Sequence, residues 1–149
     1  MKPHFLIIAS SLILFCCFNQ CKKHDETPTN IVLYDKPLET IQHYIQGKWK
    51  LQYTYGGLSA HKYIDTYNSY MILSPEHIII GNESTGVVAD TTIVWVRTDI
   101  GTNDFTYLLS YSWSDNPWPW YYIVSQIKND TLVIRDNIDD GYSYYYTKY

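Results

Sequence analysis

From position 47 onward, apolar residues recur at every second place: Trp49, Leu51, Tyr53 and Tyr55 alternate with Lys48, Lys50, Gln52 and Thr54. A period of two sends one set of side chains to each face of a pleated strand, which predicts a half-buried β-strand with Trp49, Leu51, Tyr53 and Tyr55 on the core side. Gly56 and Gly57 stop it. Runs rich in aromatic and β-branched residues follow at about 67–73, 76–82, 91–98, 103–113, 120–128, 131–136 and 142–148, giving eight predicted strands. The gaps carry Ser74 and Pro75, Gly101, Asn129 and Asp130, then Asp139, Asp140 and Gly141, all residues that favour tight turns. Ahead of the first strand the period is helical: Pro37 suits a first turn, Leu38, Ile41 and Ile45 form a one-sided stripe, and Gly47 ends it. No helical pattern separates the strands, so parallel βαβ units are not expected. The expected fold is all-β, an eight-stranded antiparallel up-and-down barrel with a short N-terminal helix. A two-sheet β-sandwich is the alternative, because alternation reports a buried face without reporting closure.

The N-terminus follows a different pattern. Residues 5–18 are apolar and uncharged, follow Lys2 and His4, and fall short of the roughly 20 residues a spanning helix needs. They predict a signal peptide over 1–20. Cys16 and Cys17 would leave with it, so Cys21 is the candidate first mature residue and nothing remains for an internal disulfide. The run Cys21, Lys22, Lys23, Asp25, Glu26 resembles the export signals of surface lipoproteins of the Bacteroidota, and implies a lipid on Cys21. Gln20 departs from the small residue usual there and keeps Cys17 as a second site, with a secreted soluble protein cut nearby as the other reading. Residues 21–36 predict a flexible tether, and 37–149 a single domain.

The chain holds 16 Tyr and 5 Trp at a formal net charge of −4, with no basic stripe, which argues against a nucleic-acid partner. The helix leading into Gly47, Lys48 and Trp49 resembles the Gly-x-Trp opening of lipocalins and lipocalin-like domains of bacterial lipoproteins. Asp130, Thr131 and Leu132, then Tyr144, Tyr146 and Lys148, are similar to the end of such a domain. The resemblance covers about 37–149, and the second and third signature regions of lipocalins are not evident. It implies a barrel whose last strand returns beside the first, with Lys148 over the Trp49 indole at the closed base.

Strand parity then assigns the loops near 56–66, 83–90, 114–119 and 137–141 to the open end. The stretch 113–122 contains Trp113, Trp118 and Trp120 with two prolines that stiffen it. The candidate ligand contacts at the mouth are Tyr53, Tyr55, Tyr107, Trp113, Trp118 and Trp120, and the barrel-base residues are Gly47, Trp49 and Lys148. Rings of this kind either take a ligand or fold over and plug the barrel. A cavity of roughly 300 Å³ or more favours the ligand, and a packed interior favours docking.

No nucleophile elbow, phosphate loop or catalytic Cys is present, and His43, His61 and His77 lack metal spacing. Asp136, Asp139, Asp140 and Gly141 faintly resemble a calcium loop, but Ile138 stands at a ligand position and no Glu follows. No catalytic residue, metal or cofactor is expected. The functional expectation is a non-enzymatic, lipid-anchored protein of the cell envelope, at the outer membrane with exposure at the cell surface as a further expectation. It would bind a small apolar or amphipathic ligand, or a glycan, at the barrel mouth. The alternative is an interaction module docking an envelope protein or glycan with a filled interior; an enzyme using mouth carboxylates such as Asp65, Asp115 and Asp139 stands third.

Overall fold

The computed structural model describes residues 30–101, 104–113 and 116–149. The predicted signal peptide, Cys21 and residues 22–29 of the predicted tether lie outside the described residues. Along the chain run β1 (Asn30–Val32), α1 (Leu38–Ile45), β2 (Gly47–Gly56), β3 (His61–Ile64), β4 (Tyr70–Leu73), β5 (His77–Asn82), β6 (Gly86–Thr92), β7 (Val94–Gly101), β8 (Asp104–Trp113), β9 (Asn116–Lys128), β10 (Thr131–Asp136) and β11 (Tyr142–Lys148).

All eleven strands belong to one antiparallel sheet, curled into a half-barrel, rather than to two layers. The hydrogen-bonded order is β6-β5-β4-β2-β11-β10-β9-β8-β7, with β1 added to β9 and β3 to β2. The last strand therefore lies against the first long one, and its register sets Lys148 opposite Trp49. The two ends of the path, β6 and β7, are joined through Ile93 alone. One run of chain thus pairs with β5 by its first half and with β8 by its second, and buried Ile93 donates its N–H to the Glu76 carbonyl at 2.8 Å at the join.

Eleven strands stand where the periodicity predicts eight, for three local reasons. The chain after β2 pairs with it twice, as β3 and as β4, with an excursion at 65–69 between them. Asp65 stabilises that excursion by accepting from the Ser69 N–H at 2.7 Å and the Ser69 hydroxyl at 2.9 Å. The stretch 86–90, read as loop, pairs with β5. At the other end of the domain the predicted tether is corrected: Asn30–Val32 pairs with β9, and Leu33 is 0% exposed in the core. Four successive apolar residues, Ile31 to Tyr34, were the signal for it.

Helix α1 runs beneath the base of the sheet. Ile41 and Ile45 are buried with Leu33, Trp49, Met71, Leu73, Leu132 and Ile127. Its neighbours fix its place: the Trp49 Nε1–H donates to the Ile45 carbonyl at 2.6 Å, and Gln42 and Trp95 both donate to the Pro75 carbonyl. Gly47 begins β2 at a φ of +115°, a conformation that strains any residue with a side chain, and a Cβ there would sit 3.3 Å from Lys148 Nζ.

Candidate functional site

The inward face of each strand follows from register. On β11, Tyr144 and Tyr146 share phase with Lys148; on β10, Leu132 and Ile134 are buried and Asp136 is next in phase; on β8 and β9, Leu109, Tyr111, Tyr122 and Val124 turn to the same interior. Together with Leu51, Ser69, Tyr70, Met71, Ile78 and Ile80 these strands line a mainly apolar, partly open cavity of about 260 Å³. Four tyrosine rings dominate one side of it. Tyr111 and Tyr122 stack with centroids 5.6 Å apart, and Tyr122 meets Tyr144 edge-on at 5.9 Å. The Tyr111 hydroxyl donates to that of Tyr122 at 3.4 Å.

Burial sets the chemistry of these phenols. It pushes the pKa of Tyr111, Tyr122, Tyr144 and Tyr146 above the ordinary tyrosine value, and the negative charge of Asp136 adds to this for Tyr122, Tyr144 and Tyr146, with Asp65 contributing at Tyr146. All four are neutral at physiological pH. They offer ring faces and hydroxyls rather than a base. Asp136 is tied at one oxygen, where Oδ2 accepts from the Tyr142 N–H at 2.9 Å. Its Oδ1 is buried and accepts no hydrogen bond of normal geometry, although the Tyr144 hydroxyl is near enough to feel the carboxylate.

The candidate contacts read from the sequence divide. Tyr53 and Tyr55 are on the outer face, a correction with an identifiable cause. Tyr146 pairs with Leu51 but Tyr145 pairs with Tyr53, so Gln52 is an extra residue, a β-bulge, and the alternation reverses after it. Tyr53 stacks on outward Tyr145 at 4.3 Å, with Lys62 Nζ 3.9 Å from its centroid. Tyr107 packs against the core, edge-on to Phe105 at 5.7 Å, away from the cavity lining. Trp120 pairs with Tyr111 and is 43% exposed, next to the hairpin between β8 and β9. The side chains of Trp113 and Trp118 lie outside the described residues.

At the base, Lys148 Nζ lies 4.6 Å from the Trp49 ring centroid and donates to the Gln46 carbonyl at 2.9 Å. The cavity tyrosines were legible in part, since Tyr144 and Tyr146 share phase with Lys148. Tyr111 and Tyr122 needed the β8–β9 register.

Two other hollows differ in character. A polar groove of about 550 Å³ follows the β10–β11 hairpin from Arg135 to Ser143, and one of about 410 Å³ lies between Tyr34, Ile100, Thr106 and Ile123, where β1 takes over from β8 along β9. Neither has converging rings. Among the described residues no group of three or more His, Cys, Asp or Glu is arranged to hold a metal. His61 instead meets Tyr63 edge-on, His43 meets Tyr44, and His77 pairs with Asp90. A comparison of the chain with protein-family models, with curated proteins and with solved structures found no match.

Proposed function

We propose that this is a lipid-anchored, lipocalin-like protein of the cell envelope that takes a small apolar or amphipathic ligand into its interior from the open end. The observation that carries the reading is the cavity of about 260 Å³, aliphatic towards Met71 and Ile78 and ringed by tyrosines above. Binding sites combine a mainly apolar wall with a few placed polar groups, and this interior has both. Its volume falls just short of the roughly 300 Å³ at which sites for drug-sized ligands begin, so it suits a small molecule or one end of a longer one.

A closed eight-stranded barrel is part of the proposal. Counting 86–101 as one bent strand, and β1 and β3 as additions, its eight members would be β2, β4, β5, this bent strand, β8, β9, β10 and β11, with the two ends of the pairing path joined along the chain at Ile93. Lys148 beside Trp49 suits the sealed base of such a barrel.

Titrating the protein with N-phenyl-1-naphthylamine and competing with a fatty acid, a bile acid and an oligosaccharide tests the ligand. At least one competitor is expected to displace the probe, and Ile80→Phe, which fills the cavity, to weaken probe binding at least tenfold. Binding undisturbed by Ile80→Phe would place the ligand elsewhere. The docking alternative draws on one feature, the exposed Leu58, Ile64, Tyr63 and Tyr55 around the β2–β3 hairpin. Pull-down of an envelope protein abolished by Ile64→Ser, with no probe binding at all, would favour it.

The anchor rests on the Cys21 segment. Metabolic labelling with a palmitate analogue is expected to mark the wild type and to miss Cys21→Ala. Equal label on both would defeat the assignment.

A further inference from the structure

We infer that the interior selects ligands by a positively charged head: an alkyl or aryl ammonium whose nitrogen lies against the tyrosine rings and reaches the Asp136 carboxylate, with its tail among Met71, Ile78, Ile80 and Leu109. The inference rests on the proposed ligand-binding reading and names the class of molecule.

Asp136 follows Leu132 and Ile134 in phase on β10 and stands opposite Tyr122 of β9, one of the cavity rings, while it also lines the polar groove of the β10–β11 hairpin. Oδ1 is buried with no well-formed hydrogen bond, only the Tyr144 hydroxyl near it, and a stronger donor arriving with a ligand would relieve the cost of burying it. A cation is the donor this site favours, for three reasons. First, no described cation neutralises Asp136: the described ion pairs are Lys36–Asp35 and His77–Asp90. Adjacent Arg135 is exposed, in opposite phase on β10, and shares the polar groove with Asp136 without an ion pair among the described residues, and Lys148, the lysine in phase with the interior on β11, is occupied at the base by Trp49 and the Gln46 carbonyl. Second, the ring faces of Tyr111, Tyr122 and Tyr144 are electron-rich and attract a cation within about 6 Å. Third, Asp65 acts on the same rings: after burial and Tyr122, the charges of Asp65 and Asp136 both hold the Tyr146 proton on. The Asp65 oxygens are taken up by Ser69 and Tyr67, whereas Asp136 Oδ1 has only the Tyr144 hydroxyl near it. An anionic head such as a fatty-acid carboxylate would meet repulsion at the same place.

Calorimetric titration of the full chain with hexylammonium, hexanol and hexanoate, which share a tail and differ only in the head, decides the matter. Hexylammonium is expected to bind at least tenfold more tightly than hexanol, and hexanoate more weakly than either. Asp136→Asn, which keeps an acceptor for the Tyr142 N–H, is expected to weaken hexylammonium at least tenfold and leave hexanol within about twofold. Should that variant fail to fold, the wild-type ranking still decides. Equal binding of hexanol, or tighter binding of hexanoate, would overturn the charge selection and leave the cavity reading standing. Absence of binding by all three, and by the fluorescent naphthylamine, would overturn both. Loss of hexanol along with hexylammonium in a folded Asp136→Asn would overturn the selection, because Asp136 would then be shaping the cavity instead of choosing the head.

Discussion

Trp49→Ala is expected to destabilise the fold by about 3–5 kcal/mol, a large share of what holds a domain of this size together. The indole is 1% exposed at the centre of the base, where α1, β2, β4 and β11 meet. Removing it opens a cavity the size of the ring, frees the Ile45 carbonyl at the end of α1 from its donor, and strips Lys148 of the ring it covers. Chemical denaturation of the wild type and variant measures the loss. The contribution of the lysine comes from a double-mutant cycle with Lys148→Met, where a coupling of about 0.5–2 kcal/mol is expected for a cation on an indole face. A coupling near zero would reduce Trp49 to an ordinary core aromatic, and a loss below about 1 kcal/mol for Trp49→Ala would contradict the packing itself.

Alkali is expected to unfold the protein steeply just above pH 10. Tyr111, Tyr122, Tyr144 and Tyr146 have their pKa raised in the fold, chiefly by burial, whereas in the unfolded chain they ionise near pH 10. The folded state then binds more protons than the unfolded state, so stability falls as pH rises. The contribution is complete below the unfolded pKa and is lost on climbing towards the folded one. Each phenol that stays protonated only in the fold steepens the fall by up to about 1.4 kcal/mol per pH unit, less for Tyr144, which solvent partly screens, so together they would remove a few kcal/mol within one unit. Melting temperature against pH, followed with tyrosinate absorbance at 295 nm, tests this. The interior phenols should ionise only as the fold collapses. A gradual titration of every tyrosine with the melting temperature unchanged to pH 11 would mean that the interior is open to solvent.

The two predictions act on opposite ends of the same interior. The base is a packed aromatic and aliphatic core. Above it, neutral phenols line a cavity near a carboxylate with one poorly satisfied oxygen.

The chain declares its local structure in its side chains. The period of two gives β2, the stripe Leu38, Ile41 and Ile45 gives α1, and turn residues such as Asn129 and Asp130, both at positive φ in the structure, end the strands. Phase along one strand is legible too: Lys148 follows Tyr144 and Tyr146 at steps of two, and its place opposite Trp49 needs only that the first and last strands pair. The bulge at Gln52 was not legible. Tyrosine is amphipathic, so Tyr53 and Tyr55 fit an inner or an outer face equally well, and no change in composition marks where the alternation reverses.

By itself, then, the sequence determined an antiparallel β domain with a helix at one end, because strand and helix periods are properties of neighbouring residues. Only the tertiary structure decided which tyrosines line the interior, that Asp136 stands opposite one of them, and that Asn30–Val32 belongs to the sheet. Those facts depend on register between strands remote in sequence. Register is set by bulges and by packing across the sheet, and a single extra residue exchanges every side chain beyond it between core and solvent.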